Sequence, residues 1–153
     1  MRKRLLTMCL TAIMMAVGMS AYALDKVGNV YQIGTAADWG EFAALVNGGE
    51  LTACAVLTAD IDLGMNVPMV GTNDSDKAYQ GTFDGKGHTI KINMYPEENY
   101  AALFRYVGWR AVVQNLKVEG KITTISKFAA GIAGRVRGTI RNCWADITIN
   151  SRR

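Results

Sequence analysis

From Thr58 onward, apolar and polar positions alternate in short runs that recur. Val112-Val-Gln-Asn-Leu-Lys-Val118 and Thr139-Ile-Arg-Asn-Cys-Trp-Ala145 repeat one strand pattern, with Asn115 and Asn142 at the same place in the two copies and each followed by an apolar side chain. Two upstream runs, Gly87-His-Thr-Ile-Lys-Ile92 and Thr58-Ala-Asp-Ile-Asp-Leu63, follow the same alternation without the Asn. Pairing Ile61, Ile90, Leu116 and Cys143 gives successive steps of 29, 26 and 27 along the numbering. A drifting period in the range of about 20–50 residues is the mark of a solenoid, in which each repeat is one turn stacked on the last. The pattern therefore predicts about four rungs of short parallel strands, with alternate side chains facing a shared interior.

Upstream of the repeats the period changes from two to that of a helix. Trp39, Phe42, Ala43 and Val46 fall at i, i+3, i+4 and i+7, so Ala36–Asn47 is expected to be an amphipathic helix. Thr35 is a suitable N-cap with Asp38 as its capping-box partner, and Gly48-Gly49 offer the left-handed position that stops the helix. A single helix ahead of a repeat array is expected to act as a cap over the open apolar end. Val30–Ile33 reads as a short entry strand, and 72–79 and 93–99 read as polar surface loops. Gly81, Gly85 and Gly87 are expected to supply positive φ at the corner before Ile90.

The first residues stand apart. Arg2-Lys-Arg4, an apolar run from Leu5 to Val17 and Ala21-Tyr-Ala23 together read as a signal peptide, residues 1–23, cut after Ala23. Lipoprotein processing at Cys9 is the rival reading. The expected destination is the cell surface or the medium, with the periplasm as an alternative, and no membrane span after cleavage. Residues 24–50 then form the cap and 51–153 the repeats. Removing the leader leaves 14 Lys/Arg against 13 Asp/Glu, a net charge of about +1, so no nucleic-acid partner is expected. The charge is uneven along the chain: residues 24–104 hold 4 Lys and 11 acids, and residues 105–153 hold 10 Lys/Arg and 2 acids. Cys54 and Cys143 fall on the first and last rungs, too far apart to bridge, and are expected to be buried and unpaired.

The segment Trp39–Ala145 resembles secreted Bacteroidetes-type proteins with GLUG-motif repeats. The stretches that carry the likeness are Leu45-Val-Asn-Gly-Gly49, Leu57-Thr-Ala-Asp-Ile-Asp-Leu63, Gly81-Thr-Phe-Asp-Gly-Lys-Gly-His-Thr-Ile90, and Ala130-Gly-Ile-Ala-Gly134 through Ile140-Arg-Asn-Cys-Trp144. The resemblance implies an all-β chain with one N-terminal capping helix, wound as a right-handed parallel β-helix similar in backbone to pectate lyases and filamentous-hemagglutinin adhesins. Ala102-Leu-Phe-Arg105 departs from the usual Gly-Leu-Phe-Gly. No C-terminal cap is visible before Arg153, so the last rung is expected to expose an apolar end and a bare strand edge. Downstream β-helix repeats, or another chain, are the expected cover.

Candidate chemistry is sparse. His88, the only histidine, lies near Asp84 but has no nucleophile in a recognisable motif around it, and the resemblance puts it at a structural corner with Gly81, Gly85 and Gly87. Asp60 and Asp62 share one strand face that could attract Ca²⁺, but no further acids stand in register; the Asn73/Asp74/Asp76 loop lacks an EF-hand pattern. No metal and no cofactor is expected. Asn115 and Asn142 read as stacked scaffold amides. Trp144 and Trp109, with the basic residues Arg135, Arg137 and Arg141, are the candidate binding residues for a glycan or a surface protein. The expected function is thus a non-enzymatic, adhesin-like surface module or stalk. The alternative is a polysaccharide lyase or glycoside hydrolase, which would need paired carboxylates or a Ca²⁺ site beside a basic residue.

Overall fold

The structure, a computed structural model, describes residues 23–152; the rest of the expected leader lies outside the described residues. Among the described residues the chain is all-β with one α-helix. In order it forms β1 (Lys26–Val27), β2 (Val30–Ile33), α1 (Ala36–Asn47), β3 (Cys54–Leu57), β4 (Ile61–Asp62), β5 (Thr82–Asp84), β6 (Thr89–Met94), β7 (Phe104–Val107), β8 (Val112–Gln114), β9 (Lys117–Thr124), β10 (Ala133–Val136), β11 (Thr139–Arg141) and β12 (Trp144–Ser151). Sheet I has the order β1-β2-β3-β5-β8-β11, sheet II the order β12-β9-β6-β4, and sheet III contains β10 and β7. Every pairing is parallel except that of β1 with β2. From β5 on, the strands fall to sheets I, II and III in strict rotation. The turn before joins sheet III through bridges from Val70 to Phe104 and from Tyr79 to Val107.

The register differs from the spacing drawn on the sequence. Ile61 pairs with Ile90, Ile90 with Val118 and Val118 with Ala145, so the steps are 29, 28 and 27. Leu116 and Cys143 are not the counterparts of Ile90. The reason is corner length: four residues separate Asp84 from Thr89, whereas two separate Gln114 from Lys117 and Arg141 from Trp144. Asn115 and Asn142 take left-handed φ values of 52° and 51°, which turns the chain within those two residues. Leu116 fills the corner and is buried; the strand begins one residue later.

The glycines of the longer corner also act differently from the expectation. Only Gly87 has a positive φ, 81°, and Lys86 beside it shares the left-handed region at 52°. Gly81 and Gly85 have ordinary φ and serve close approach instead. A Cβ on Gly81 would run into the Ala53 carbonyl, and one on Gly85 would stand 2.5 Å from the Asn115 carbonyl oxygen. Segments distant in sequence therefore press backbone against backbone at these two positions.

Side chains of one parity stack between the sheets. Tyr31, Ala55, Phe83, Val113 and Ile140 form one row across sheet I; Met94, Ile122 and Ile149 form another across sheet II. Both rows are buried up to the last turn, where Ile140 is half-buried and Ile149 is 47% exposed. Among the described residues, β10, β11 and β12 have no further strand beside them. Cys54 and Cys143 are unbridged and half-buried rather than fully buried: Cys54 shares the half-buried parity of β3 with Val56, and Cys143 lies beside β12 at the edge of sheet II.

The helix is built as its pattern predicts. Thr35 accepts from the Asp38 N–H at 3.1 Å while Asp38 accepts from the Thr35 N–H at 2.9 Å, and Trp39, Phe42, Ala43 and Val46 are all buried. At its other end the Glu50 N–H reaches the Leu45 carbonyl and the Gly49 N–H reaches that of Val46, a Schellman closure with Gly49 at φ 123°. The indole of Trp39 meets Phe83 and Phe104 edge-on at 5.7 and 5.8 Å, and Phe42 meets Tyr79 at 6.0 Å. Polar ties hold the same helix: Trp39 Nε1 donates to the Pro68 carbonyl at 2.8 Å, Asn47 Nδ2 donates to that of Met69, and Asn47 Oδ1 accepts from the Gly71 N–H. Trp39→Ala is expected to cost about 3–5 kcal/mol and Trp39→Phe, which strands the Pro68 carbonyl, about 1–3 kcal/mol. Urea denaturation of the two variants checks both, and a midpoint unchanged by Trp39→Ala would mean that the helix does not hold the stack.

Candidate functional site

The residues singled out in the sequence fall into separate places on the fold. Arg135 and Arg137 come together with Trp109 where sheet III turns into sheet I. Arg141 lies on the outer side of sheet I, and Trp144 opens β12 in sheet II beside Asn142.

The first place is a basic and aromatic corner. The Arg135 guanidinium sits 4.8 Å from the centre of the Tyr106 ring, and Arg137 lies 5.6 Å from Tyr106 and 5.5 Å from Trp109. Register explains the first contact, because Arg135 pairs directly with Tyr106 across β10 and β7. Tyr106 is 1% exposed, whereas Trp109 is 73% exposed. The backbone beneath is tightly held. The Arg137 N–H reaches the Val107 carbonyl at 2.8 Å and the Arg110 N–H reaches Gln80 Oε1 at 3.1 Å. A Cβ on Gly108 would strike the Gln80 amide, and one on Gly138 would stand 2.5 Å from the Ala111 carbonyl oxygen. Arg110 is not among the binding candidates that the sequence marks, and Tyr106 is marked only as one of several aromatic rings that could stack on a sugar. The further sequence signal for Tyr106 is its place one repeat before Arg135.

The second place is a polar ladder that begins at Asp84. Its Oδ1 accepts from Asn115 Nδ2 at 2.9 Å, and Asn115 Oδ1 accepts from Asn142 Nδ2 at 2.6 Å. Its Oδ2 accepts from Gln114 Nε2 at 2.9 Å, and Gln114 Oε1 accepts from Arg141 Nε at 2.8 Å. An ionised carboxylate only accepts, so both amides must turn their NH₂ groups toward it, and each next partner must donate in turn. The scaffold role expected of Asn115 and Asn142 thus has a direction, set by an acid whose sequence context suggests only a pairing with His88. Desolvation alone would raise the Asp84 carboxyl. The donors from Asn115, the Lys86 N–H and Gln114, with the Lys86 ammonium 3.5 Å away, outweigh it and pull the carboxyl down to about 2.

His88 pairs with Asp60, not with Asp84. Its Nδ1 is 3.1 Å from Asp60 Oδ1, which also accepts from the Thr89 N–H at 2.9 Å, and that backbone bond with the His88 contact lowers the Asp60 carboxyl. Strand pairing of β4 with β6 brings the two together from successive turns. Asp62 instead accepts from the Gly64 N–H at 2.9 Å. Asp60, just before β4, and Asp62 within it therefore each bind a different backbone donor, and no group of three or more His, Cys, Asp or Glu suited to a metal occurs among the described residues. Trp144 is 51% exposed and lines a small cleft of about 180 Å³ with Asn115, Asn142, Cys143 and Lys117. Burial pushes the Cys143 thiol up, which keeps it protonated and a poor nucleophile at neutral pH. A wider groove of about 860 Å³ runs between β1 and α1, where Tyr31 donates to Glu50 at 2.7 Å and the Lys26 ammonium lies 4.0 Å above the Tyr31 ring.

No family model and no solved structure matches the chain. It is 30% identical over 100 residues to Halomucin of Haloquadratum walsbyi, a match that covers 56% of this chain and 1% of that protein's length.

The ladder makes a pH prediction. The folded carboxyl of Asp84 lies below the ordinary value of about 3.9, so its contribution to stability is complete above pH ~4 and is lost as the pH falls toward 2. Asp84→Asn, which replaces one acceptor by a donor facing donors, is expected to cost about 1–3 kcal/mol at pH 7 and to flatten the loss between pH 4 and 2. Urea midpoints of both proteins at pH 7, 4 and 2.5 check this, and equal acid losses in the two would count against the ladder.

Proposed function

We propose that the chain is a module of a secreted or cell-surface protein, a right-handed parallel β-helix of about four rungs in the manner of GLUG-motif repeat proteins. It works by binding and spacing rather than by catalysis. Its partners are glycans or surface proteins on its side faces, and further β-turns, from a longer chain or another chain, on the last rung. The observation that carries this reading is the rotation of the strands through three parallel sheets, with register steps of 29, 28 and 27 from turn to turn. The likeness to a stretch amounting to 1% of a much longer protein is consistent with a module of a larger chain. The non-enzymatic half of the reading is supported by how the acids are used: Asp60, Asp62 and Asp84 all serve as acceptors for backbone or amide donors. No helix among the described residues is long and apolar enough to cross a membrane.

A repeat insertion tests the architecture. A second copy of residues 112–138, one full period, inserted after Gly138 adds a turn in register, so the melting temperature should stay within a few degrees of the parent. An insertion of about half that length at the same place shifts β11 and β12 out of their rows and should lower the melting temperature by more than the full-period insertion does. Equal damage by both insertions would rule out the β-helix. Export is tested by expressing the whole chain in a bacterial host and reading the mature N-terminus. Processing to Leu24 outside the cytoplasm is expected, and an unprocessed cytoplasmic product would overturn the surface reading.

A further inference from the structure

We propose that the corner formed by Trp109, Arg135 and Arg137 over Tyr106 is a binding site for an acidic polysaccharide. The proposal rests on the reading of the chain as a glycan-binding surface module and names the glycan's chemistry. Its first support is a pair of guanidinium groups held by aromatic rings rather than by acidic side chains. Arg135 and Arg137 lie over aromatic rings at 4.8–5.6 Å, so their planes are oriented while the N–H edges remain free to take a carboxylate or sulfate side-on. Among the described residues the ion pairs are Lys86–Asp84, His88–Asp60 and Arg105–Glu98, so none engages Arg135 or Arg137.

Its second support is Trp109. The indole is 73% exposed at the end of a turn pinned by Gly108 and Gln80, and it contacts Arg137 on one side. An exposed ring of this size stacks on the C–H face of a sugar, and the adjacent guanidinium lies where that sugar's acidic substituent would reach. An acidic peptide offers charge on flexible stems but no such face. A nucleic acid offers charge and rings, yet the mature chain's near-neutral balance lacks the strong basic footprint that binding a phosphate backbone requires. The third support is the field of the whole chain. Residues 105–153 carry 10 Lys/Arg against 2 acids and residues 24–104 the reverse imbalance, which steers a polyanion to the half that bears this corner.

Calorimetric titration of the exported chain with polygalacturonate, which carries only carboxylates, with dextran sulfate, which carries only sulfates, and with neutral dextran tests the site. Binding to at least one anionic polymer and none to neutral dextran is expected, and the polymer that binds identifies the anion. Arg135→Lys/Arg137→Lys keeps the charge but loses the planar fork, and should weaken binding about tenfold. Trp109→Ala should weaken it about fivefold without changing the salt dependence. Lys91→Ala, on β6 in the acidic half of the chain and outside the corner, should leave it unchanged. The melting temperature of each variant separates loss of the site from loss of the fold. No binding at low salt, unchanged affinity in the corner variants, or equal affinity for duplex DNA or polyglutamate would overturn the proposal. So would shortening of the polymer during titration, which would make the chain an enzyme. The repeat insertion tests the β-helix independently, so failure here with a tolerated insertion removes only the glycan site.

Discussion

The wedge of Trp39 between Phe83 and Phe104 is the contact on which the rest of the fold depends. Short parallel strands bury little on their own, and a row of them closes only if something fills the space where the sheets diverge. Here one amphipathic helix does so, with an indole that touches sheet I through Phe83 and sheet III through Phe104. The hydrogen bond from its Nε1 to the Pro68 carbonyl, with the two made by Asn47, ties the irregular segment 68–71 to the same helix. That segment bridges to β7, so the position of Tyr106, and with it the basic corner, follows from how the helix is seated.

Backbone crowding at the corners is the second constraint. Backbone packed at strand spacing leaves no room for a Cβ at Gly81, Gly85 or Gly138. Where the chain must turn in two residues, Asn115 and Asn142 adopt the left-handed conformation and join their side chains into a ladder. The same residue type meets both demands, because Asn tolerates positive φ and carries a donor and an acceptor. Asp84 gives the ladder its polarity. Arg141 at the end of the second branch is held by Gln114, which separates it from Arg135 and Arg137 even though all three are close in sequence.

Element types were legible because periodicity reports them directly. The helical stripe of α1 with its capping box, and the alternation within β6, β8 and β9, are local facts of the chain. Register was not legible, since a corner of four residues and a corner of two look alike until the strands on either side are paired. That difference in corner length misaligned Leu116 and Cys143 with Ile90. It is also why His88 looks like a partner of Asp84, its near neighbour in sequence, and in fact faces Asp60 on the preceding turn. Trp109, Arg135 and Arg137 could be named as candidates from residue type, but the buried ring that organises them could not, because nothing local distinguishes Tyr106 from the chain's other tyrosines.

By itself, then, the sequence determined the all-β character, the one helix and its caps, the approximate period, and the uneven charge along the chain, all of which depend on neighbours within a few residues or on composition. Tertiary structure alone decided the strand register, the direction of the Asp84 ladder, the degree of burial of the two cysteines and the grouping of guanidinium groups over Tyr106. Each of these depends on contacts between neighbouring strands, far apart in sequence and about 4.8 Å apart in space. Which residues meet depends on the number of residues each corner consumes.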